Sequence, residues 1–320
     1  MTKGLNLQPI AAEMRLVEEM MTRSVASDSA VLQEVSMYVL SAGGKRLRPA
    51  MGIAAYYVAG GKEAGAIIPM AAAVEMIHTA TLIHDDIMDG SDTRRGRPAA
   101  HRKFGLKAAL VAGDFLFSQA FGLCSRYGPE VIAVTAQACR ELAEAEMLQA
   151  TPWRELTEEL CIAINGRKTG TLMGAGMEAG ALAVGASLVE RERLRRFGHA
   201  IGTAFQIIDD CLDFSLDGET GKPSGGDILG GKATLPVVHA LSRAPLKDRR
   251  RLETFLSGSA KGASIRGMVK ILERTGSFEY ARARAAAFSA EAREELVPVK
   301  ASPYKALLED ITRYVLDRTS

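Results

Sequence analysis

Two aspartate strings of the same spelling, Asp85-Asp86-Ile87-Met88-Asp89 and Asp209-Asp210-Cys211-Leu212-Asp213, stand far apart in the chain. On helices, residues four apart share a face, so Asp85 stacks with Asp89 and Asp209 with Asp213. Carboxylates held that close repel and raise one another's pKa unless a cation lies between them. Hard oxygen ligands of this kind suit magnesium shared with water and substrate phosphates. The residues before each string are mostly apolar (80–83 and 204–208), which puts the carboxylates at the rim of a buried cavity. A solvated acidic helix face explains one such string more readily than two.

Basic residues recur where a magnesium-bound phosphate needs them. Gly43-Gly44-Lys45-Arg46-Leu47-Arg48-Pro49 sets Lys45 and Arg48 at an expected helix start, where backbone N–H groups and a guanidinium fork hold phosphate together. Arg94-Arg95-Gly96 follows the first aspartate string within a few residues. Arg167-Lys168-Thr169-Gly170 ends or interrupts a helical pattern and offers an ammonium and a hydroxyl, and Gln206 shares a helix face with Asp209. His78 stands two helical turns before Asp85 on the same face. The basic runs 191–196 and 247–251 are mixed with acids and read as solvated surface.

The elements that must position these groups are helices. Alanine, leucine, methionine, glutamate and arginine dominate, and the period-two alternation of strands is rare. Residues 14–40, 67–84, 108–121, 130–149, 155–173, 188–213, 235–240, 252–256, 263–273, 278–296 and 304–317 read as helix or part of one. Breaks between them are short and hold Gly or Pro, except at 217–234, where six glycines and a proline form a loop flanked by Lys222 and Lys232. A loop that long in a compact fold reads as a flexible lid closing positive charge over a phosphate. No change of composition divides the 320 residues, so the expected architecture is a single all-α domain spanning 1–320, a large helical bundle around a central apolar cavity.

Composition excludes several classes. Apolar residues make up 47% of the chain, which argues against disorder. A net charge of +2 leaves no chain-wide field to recruit nucleic acid. The four cysteines form no C-x-x-C pair, so neither a disulfide framework nor a zinc site is expected. The longest apolar stretch, 50–59, falls well short of the roughly 20 residues of a membrane span, and residues 1–10 lack signal-peptide character, so a cytoplasmic protein with no transmembrane segment is expected.

Taken together, the motifs Gly43 to Pro49, Leu82 to Asp89 with Arg94-Arg95-Gly96, Gly113-Asp114-Phe115, Lys168-Thr169, Phe205 to Asp210 and Gly221-Lys222-Pro223 resemble, in order, those of the trans-prenyl diphosphate synthases. The resemblance implies an isoprenoid-synthase fold, a homodimer, and head-to-tail condensation of isopentenyl diphosphate onto an allylic diphosphate primer, farnesyl or shorter. It implies magnesium, three ions per site with manganese as a substitute, held by Asp85, Asp86 and Asp89 from one motif and Asp209, Asp210 and Asp213 from the other. Lys45, Arg48, His78 and Arg95 match the family's isopentenyl diphosphate site. Arg94, Lys168, Thr169, Gln206, Lys222 and Lys232 match its contacts to the allylic diphosphate, with Asp85, Asp89, Arg94, Lys168 and Asp209 as the catalytic set.

Ala80 and Thr81, one helical turn before Asp85, are small, and in this family small residues there go with long products. The expected product is therefore octaprenyl-like, about forty carbons, with a shorter chain of fifteen or twenty carbons as the alternative. One departure stands out: Gly230 precedes Gly231-Lys232 where the family has Glu or another polar residue. A class I terpene cyclase would carry Asn, Ser and Glu in its second motif. A head-to-head synthase would lack the Lys45/Arg48 pair. A non-catalytic partner subunit would have lost aspartates, and a magnesium-dependent phosphatase would release phosphate without forming a C–C bond.

Overall fold

The computed structural model describes residues 5–214, 232–257 and 265–318, and these are almost wholly helical. In chain order the helices are α1 (Ala11–Ser24), α2 (Ala30–Leu40), α3 (Leu47–Val58), α4 (Ala64–Met88), α5 (Ala100–Phe104), α6 (Leu106–Cys124), α7 (Pro129–Gln149), α8 (Glu158–Asn165), α9 (Thr171–Leu182), α10 (Leu188–Leu212), α11 (Leu235–Arg243), α12 (Leu246–Leu256), α13 (Ile265–Arg274), α14 (Ser277–Glu295) and α15 (Pro303–Leu316). A two-stranded hairpin pairs β1 (Thr93–Arg94) with β2 (Arg97–Pro98). The two longest helices, α4 and α10, end in the two aspartate strings.

Where the observed elements differ from the sequence reading, local chemistry gives the reason. The helix expected over 14–40 divides because the Ser29 side chain accepts from Leu32 N–H and starts a new helix at Ala30. The segment 155–173 likewise divides into α8, begun by the Thr157 cap, a single π-turn at Gly166–Gly170, and α9. Helix α3 was absent from the expected set although its start was anticipated near Lys45. Nearly every residue from Leu47 to Tyr56 is buried, so no polar face exists to set a helical period. The hairpin was not expected either; its two-residue turn, Arg95-Gly96, has both residues at positive φ (52° and 72°), the geometry that matches strand twist.

Helix α4 runs through the middle of the bundle against α1, α3, α6 and α9, while α10 packs on α9 and α14. By length and composition alone, α4 and Leu106–Tyr127 could each cross a membrane, which the short-run argument from the sequence overlooked; 83% of the apolar window of α4 is buried in the bundle, against 39% for the second segment. Helices α9 and α10 meet with backbone against backbone. A Cβ built on Gly202 would stand 2.5 Å from Gly170 Cα, and one on Gly198 would stand 2.7 Å from the Met173 carbonyl. That close approach fixes the π-turn against the last turns of α10. All four cysteines are free thiols.

Candidate active site

The first aspartate string occupies the last turn of α4. Asp85 and Asp86 are helical and Asp89 is the C-cap residue. Asp86 is buried and receives the Arg94 guanidinium, with Arg94 Nε 2.9 and 3.1 Å from its two oxygens. In this structure Asp86 and Arg94 are paired with each other, which ties the 93–98 hairpin to α4. Asp85 is pushed up to about 6 by burial, with Glu146 and Asp89 adding to the shift and Lys168 and Arg94 opposing it. Asp89 accepts from Lys232 Nζ at 2.7 Å, which brings the far flank of the glycine-rich segment to the first motif. Lys222 lies outside the described residues.

The second string closes α10, with Asp213 as its C-cap residue. Asp210 is buried and accepts from Asn165 Nδ2 at 3.0 Å and Gln206 Nε2 at 3.1 Å. Those amides, like Arg94 at Asp86, turn the middle aspartate inward. Asp209 accepts from Arg318 Nη2 at 2.6 Å, and that guanidinium stacks on Phe205, 3.9 Å from the ring centre.

The π-turn joins the two strings. A turn of this kind widens the helix by one residue and is often found at functional sites. Here it sends consecutive side chains in two directions. Lys168 Nζ lies 2.6 Å from Glu146 and 2.6 Å from Gln149 Oε1; burial opposes its charge, but Asp85, Glu146 and Asp89 hold its pKa above the ordinary lysine value. Thr169 Oγ1 donates to Gln206 Oε1 at 2.7 Å, and Gln206 in turn donates to Asp210.

A second group of cations gathers where α3 begins, beside the hairpin tip. The Arg95 guanidinium lies flat on Gly44, so close that a Cβ there would stand 2.8 Å from Nη2. Lys45 is lowered to about 8 by burial and by Arg318, against the pull of Asp209. His78 is held well below the ordinary histidine value by burial and then by Arg48, Arg95, Arg94 and Arg46, so it is a neutral imidazole at physiological pH. Ala80 and Thr81 are both buried, the Thr81 hydroxyl donating to the His78 carbonyl at 2.8 Å.

Among the described residues, no three His, Cys, Asp or Glu side chains converge closely enough to hold a metal by themselves. Asp89 and Asp209 nevertheless each bond a basic side chain, and Asp85 lies in the field of Lys168. Hard carboxylate oxygens that collect cations in this way fit a divalent ion sharing its coordination with substrate phosphates. Glu75, Glu146, Gln149, Asn165 and Arg318 were missed by sequence reasoning. Each lies outside the recognised strings or is of a type common on solvated helices, and only the fold shows its neighbours.

A family model described as polyprenyl synthetase matches residues 29–296. The chain is 40% identical, over 90% of its length and 90% of the relative's, to a short chain isoprenyl diphosphate synthase of Methanothermobacter thermautotrophicus. It is 32% identical to the octaprenyl diphosphate synthase of Escherichia coli, covering 98% of this chain and 99% of that one. The crystal structure of a polyprenyl synthase from Caulobacter crescentus complexed with calcium and isoprenyl diphosphate superposes with a TM-score of 0.94 at 33% identity, covering 99% of both chains.

Proposed function

Because the chain belongs to the polyprenyl synthetase family and is a prenyltransferase, we propose that it condenses isopentenyl diphosphate head to tail onto an allylic diphosphate, giving an all-trans product of octaprenyl length. The observation that supports this reading is the presence of two groups of cations, one of them beside the aspartate strings. The aspartates with Lys168 and Lys232 form one, and Lys45, Arg48, Arg95 and neutral His78 form the other.

In this reading Asp85, Asp89 and Asp209 hold magnesium. The bound ions supply charge neutralisation that lets the allylic diphosphate leave. Lys168 and Lys232 place fixed positive charge beside the departing oxygens, and Thr169 and Gln206 orient the second motif through Asp210. Lys222, on the glycine-rich segment, and Arg94, once released from Asp86, complete the allylic contacts. Lys45, Arg48 and Arg95 pin the other diphosphate, with His78 adding an N–H donor. Apolar walls formed by α4 keep water from the allylic cation. As the resemblance to the family implies, the departing diphosphate accepts the proton whose loss completes the reaction.

Small buried residues at Ala80 and Thr81 support the long product. The short-chain relative at 40% identity supports a second reading, in which the chain stops at fifteen or twenty carbons. One experiment addresses both. The protein is incubated with magnesium, isopentenyl diphosphate and, separately, dimethylallyl, geranyl, farnesyl and geranylgeranyl diphosphates, and the dephosphorylated products are resolved by mass spectrometry. A ladder ending near forty carbons supports the first reading, a stop at fifteen or twenty the second, and no elongation with any primer overturns both. Ala80→Phe is expected to shorten the product; an unchanged length shows that the size of residue 80 does not set it.

A further inference from the structure

Glu75 lies on α4 one turn before His78 and is only 2% exposed. Its Oε1 accepts from Arg46 Nη1 at 2.8 Å. Arg46 itself is in the left-handed conformation (φ 47°), and its guanidinium is spent inward, on Glu18 at 2.6 and 3.2 Å and on the Leu40 carbonyl at 2.9 Å. The second Glu75 oxygen is buried without a hydrogen-bond partner among the described residues. After burial, the field of Glu75 is the leading charged influence on both Arg48 and Arg95. One buried carboxylate thus answers to three guanidiniums, two of which belong to the proposed isopentenyl diphosphate group. Its direct bond to Arg46 accounts for only one of its oxygens.

We propose that Glu75 is the resident counter-anion of the isopentenyl diphosphate subsite: buried against Arg46, between Gly44, on which Arg95 lies, and Arg48, its charge weakens that subsite's grip on a diphosphate. The proposal rests on the function argued above and gives it a consequence. Each condensation forms a bond between the allylic carbon and the terminal methylene carbon of isopentenyl diphosphate, breaks the allylic C–O bond, and passes the lost proton to the departing diphosphate. The lengthened chain keeps the diphosphate that isopentenyl diphosphate brought, so it begins each round on Lys45, Arg48 and Arg95. It must move to the aspartate-lined group before the next unit can be added. A cation group with no internal anion would bind that diphosphate more tightly and delay the move. Glu75 is thereby a positioning residue for repeated elongation.

Glu75→Gln keeps an oxygen for Arg46 and removes the charge. The expected result is a lower melting temperature for the unliganded protein together with tighter binding of inorganic pyrophosphate, measured calorimetrically without metal, by a factor on the order of three to ten. In turnover, KM for isopentenyl diphosphate and kcat are expected to fall together. Glu18→Gln takes a carboxylate from Arg46 without reaching Arg48 or Arg95, so it is expected to lower the melting temperature and leave the pyrophosphate Kd as it was. Unchanged or weaker pyrophosphate binding by Glu75→Gln, or equal tightening by Glu18→Gln, overturns the proposal. Should Glu75→Gln fail to fold, the double variant with Arg46→Gln, compared with Arg46→Gln alone, reads the same ratio. Loss of elongation in the unaltered protein would instead defeat the proposed function, and the pyrophosphate ratio would still decide the role of Glu75.

Discussion

Lys45 is a residue whose charge changes close to neutral pH. Burial and the Arg318 guanidinium bring it down to about 8, and Asp209 pulls the other way. An ammonium that binds phosphate does so only while protonated, so the contact is present below that value and is lost as pH rises through it. A hydrogen bond to a charged group is worth about 1.5–3 kcal/mol, so KM for isopentenyl diphosphate is expected to climb by about tenfold to a hundredfold across this range. Lys45→Arg keeps its charge throughout and should flatten the slope, whatever its absolute KM. Identical slopes in the two proteins would place the titration elsewhere. The sequence made Lys45 visible because it stands in a run of glycines and basic residues with a spacing that suits phosphate. Arg318, in an ordinary Asp-Arg-Thr, gave no such signal, yet it meets Asp209 across the site.

At the scale of the element, the contact that aligns the π-turn is the meeting of Gly170 with Gly202. A methyl group on Gly202 would press on Gly170 Cα at 2.5 Å and on the Thr169 carbonyl at 2.8 Å, both main-chain atoms that cannot swing aside. Gly202→Ala should therefore force α9 away from α10, at a cost of about 1–3 kcal/mol. It should also break the Thr169–Gln206 hydrogen bond and raise KM for the allylic primer more than KM for isopentenyl diphosphate. Gly267→Ala, on an exposed face of α13 with nothing within 4 Å, is the control, and its melting temperature should hold or rise. A Gly202→Ala protein as stable as the control would show that the helices can part freely. Most helices were legible from composition and breakers, and the second aspartate string ends its helix where the expected range 188–213 stops, while the first lies within α4, beyond the expected end at 84. What could not be read was which short polar side chain would start a new helix, as Ser29 does, or that Asp86 and Asp210 would be turned inward by Arg94 and by Asn165 with Gln206. Those outcomes depend on partners up to 45 residues away.

At the scale of the whole molecule, the first two turns of α6 expose three large apolar side chains on one stretch of helix. Leu106, Leu110 and Val111 are 59%, 46% and 42% exposed on its first two turns, while its inner face packs on α4. Contiguous apolar surface of this kind suits an interaction surface, and a second copy of the chain, packed through α6, is the occupant that the homodimer expected from the sequence would supply. The face also lies close to the chemistry. A Cβ on Gly113 would stand 2.2 Å from His84 Nε2, and that ring approaches the Leu110 carbonyl at 3.4 Å, one residue from Asp85. Pairing through α6 would therefore stiffen the turn that carries the first aspartate string. Leu110→Glu combined with Val111→Glu is expected to shift the sedimenting species from twice the chain mass to the chain mass and to lower kcat, with activity recovering as protein concentration rises. A wild-type protein that sediments at the chain mass at every concentration, or a variant that stays paired, would assign this face to something other than a second copy.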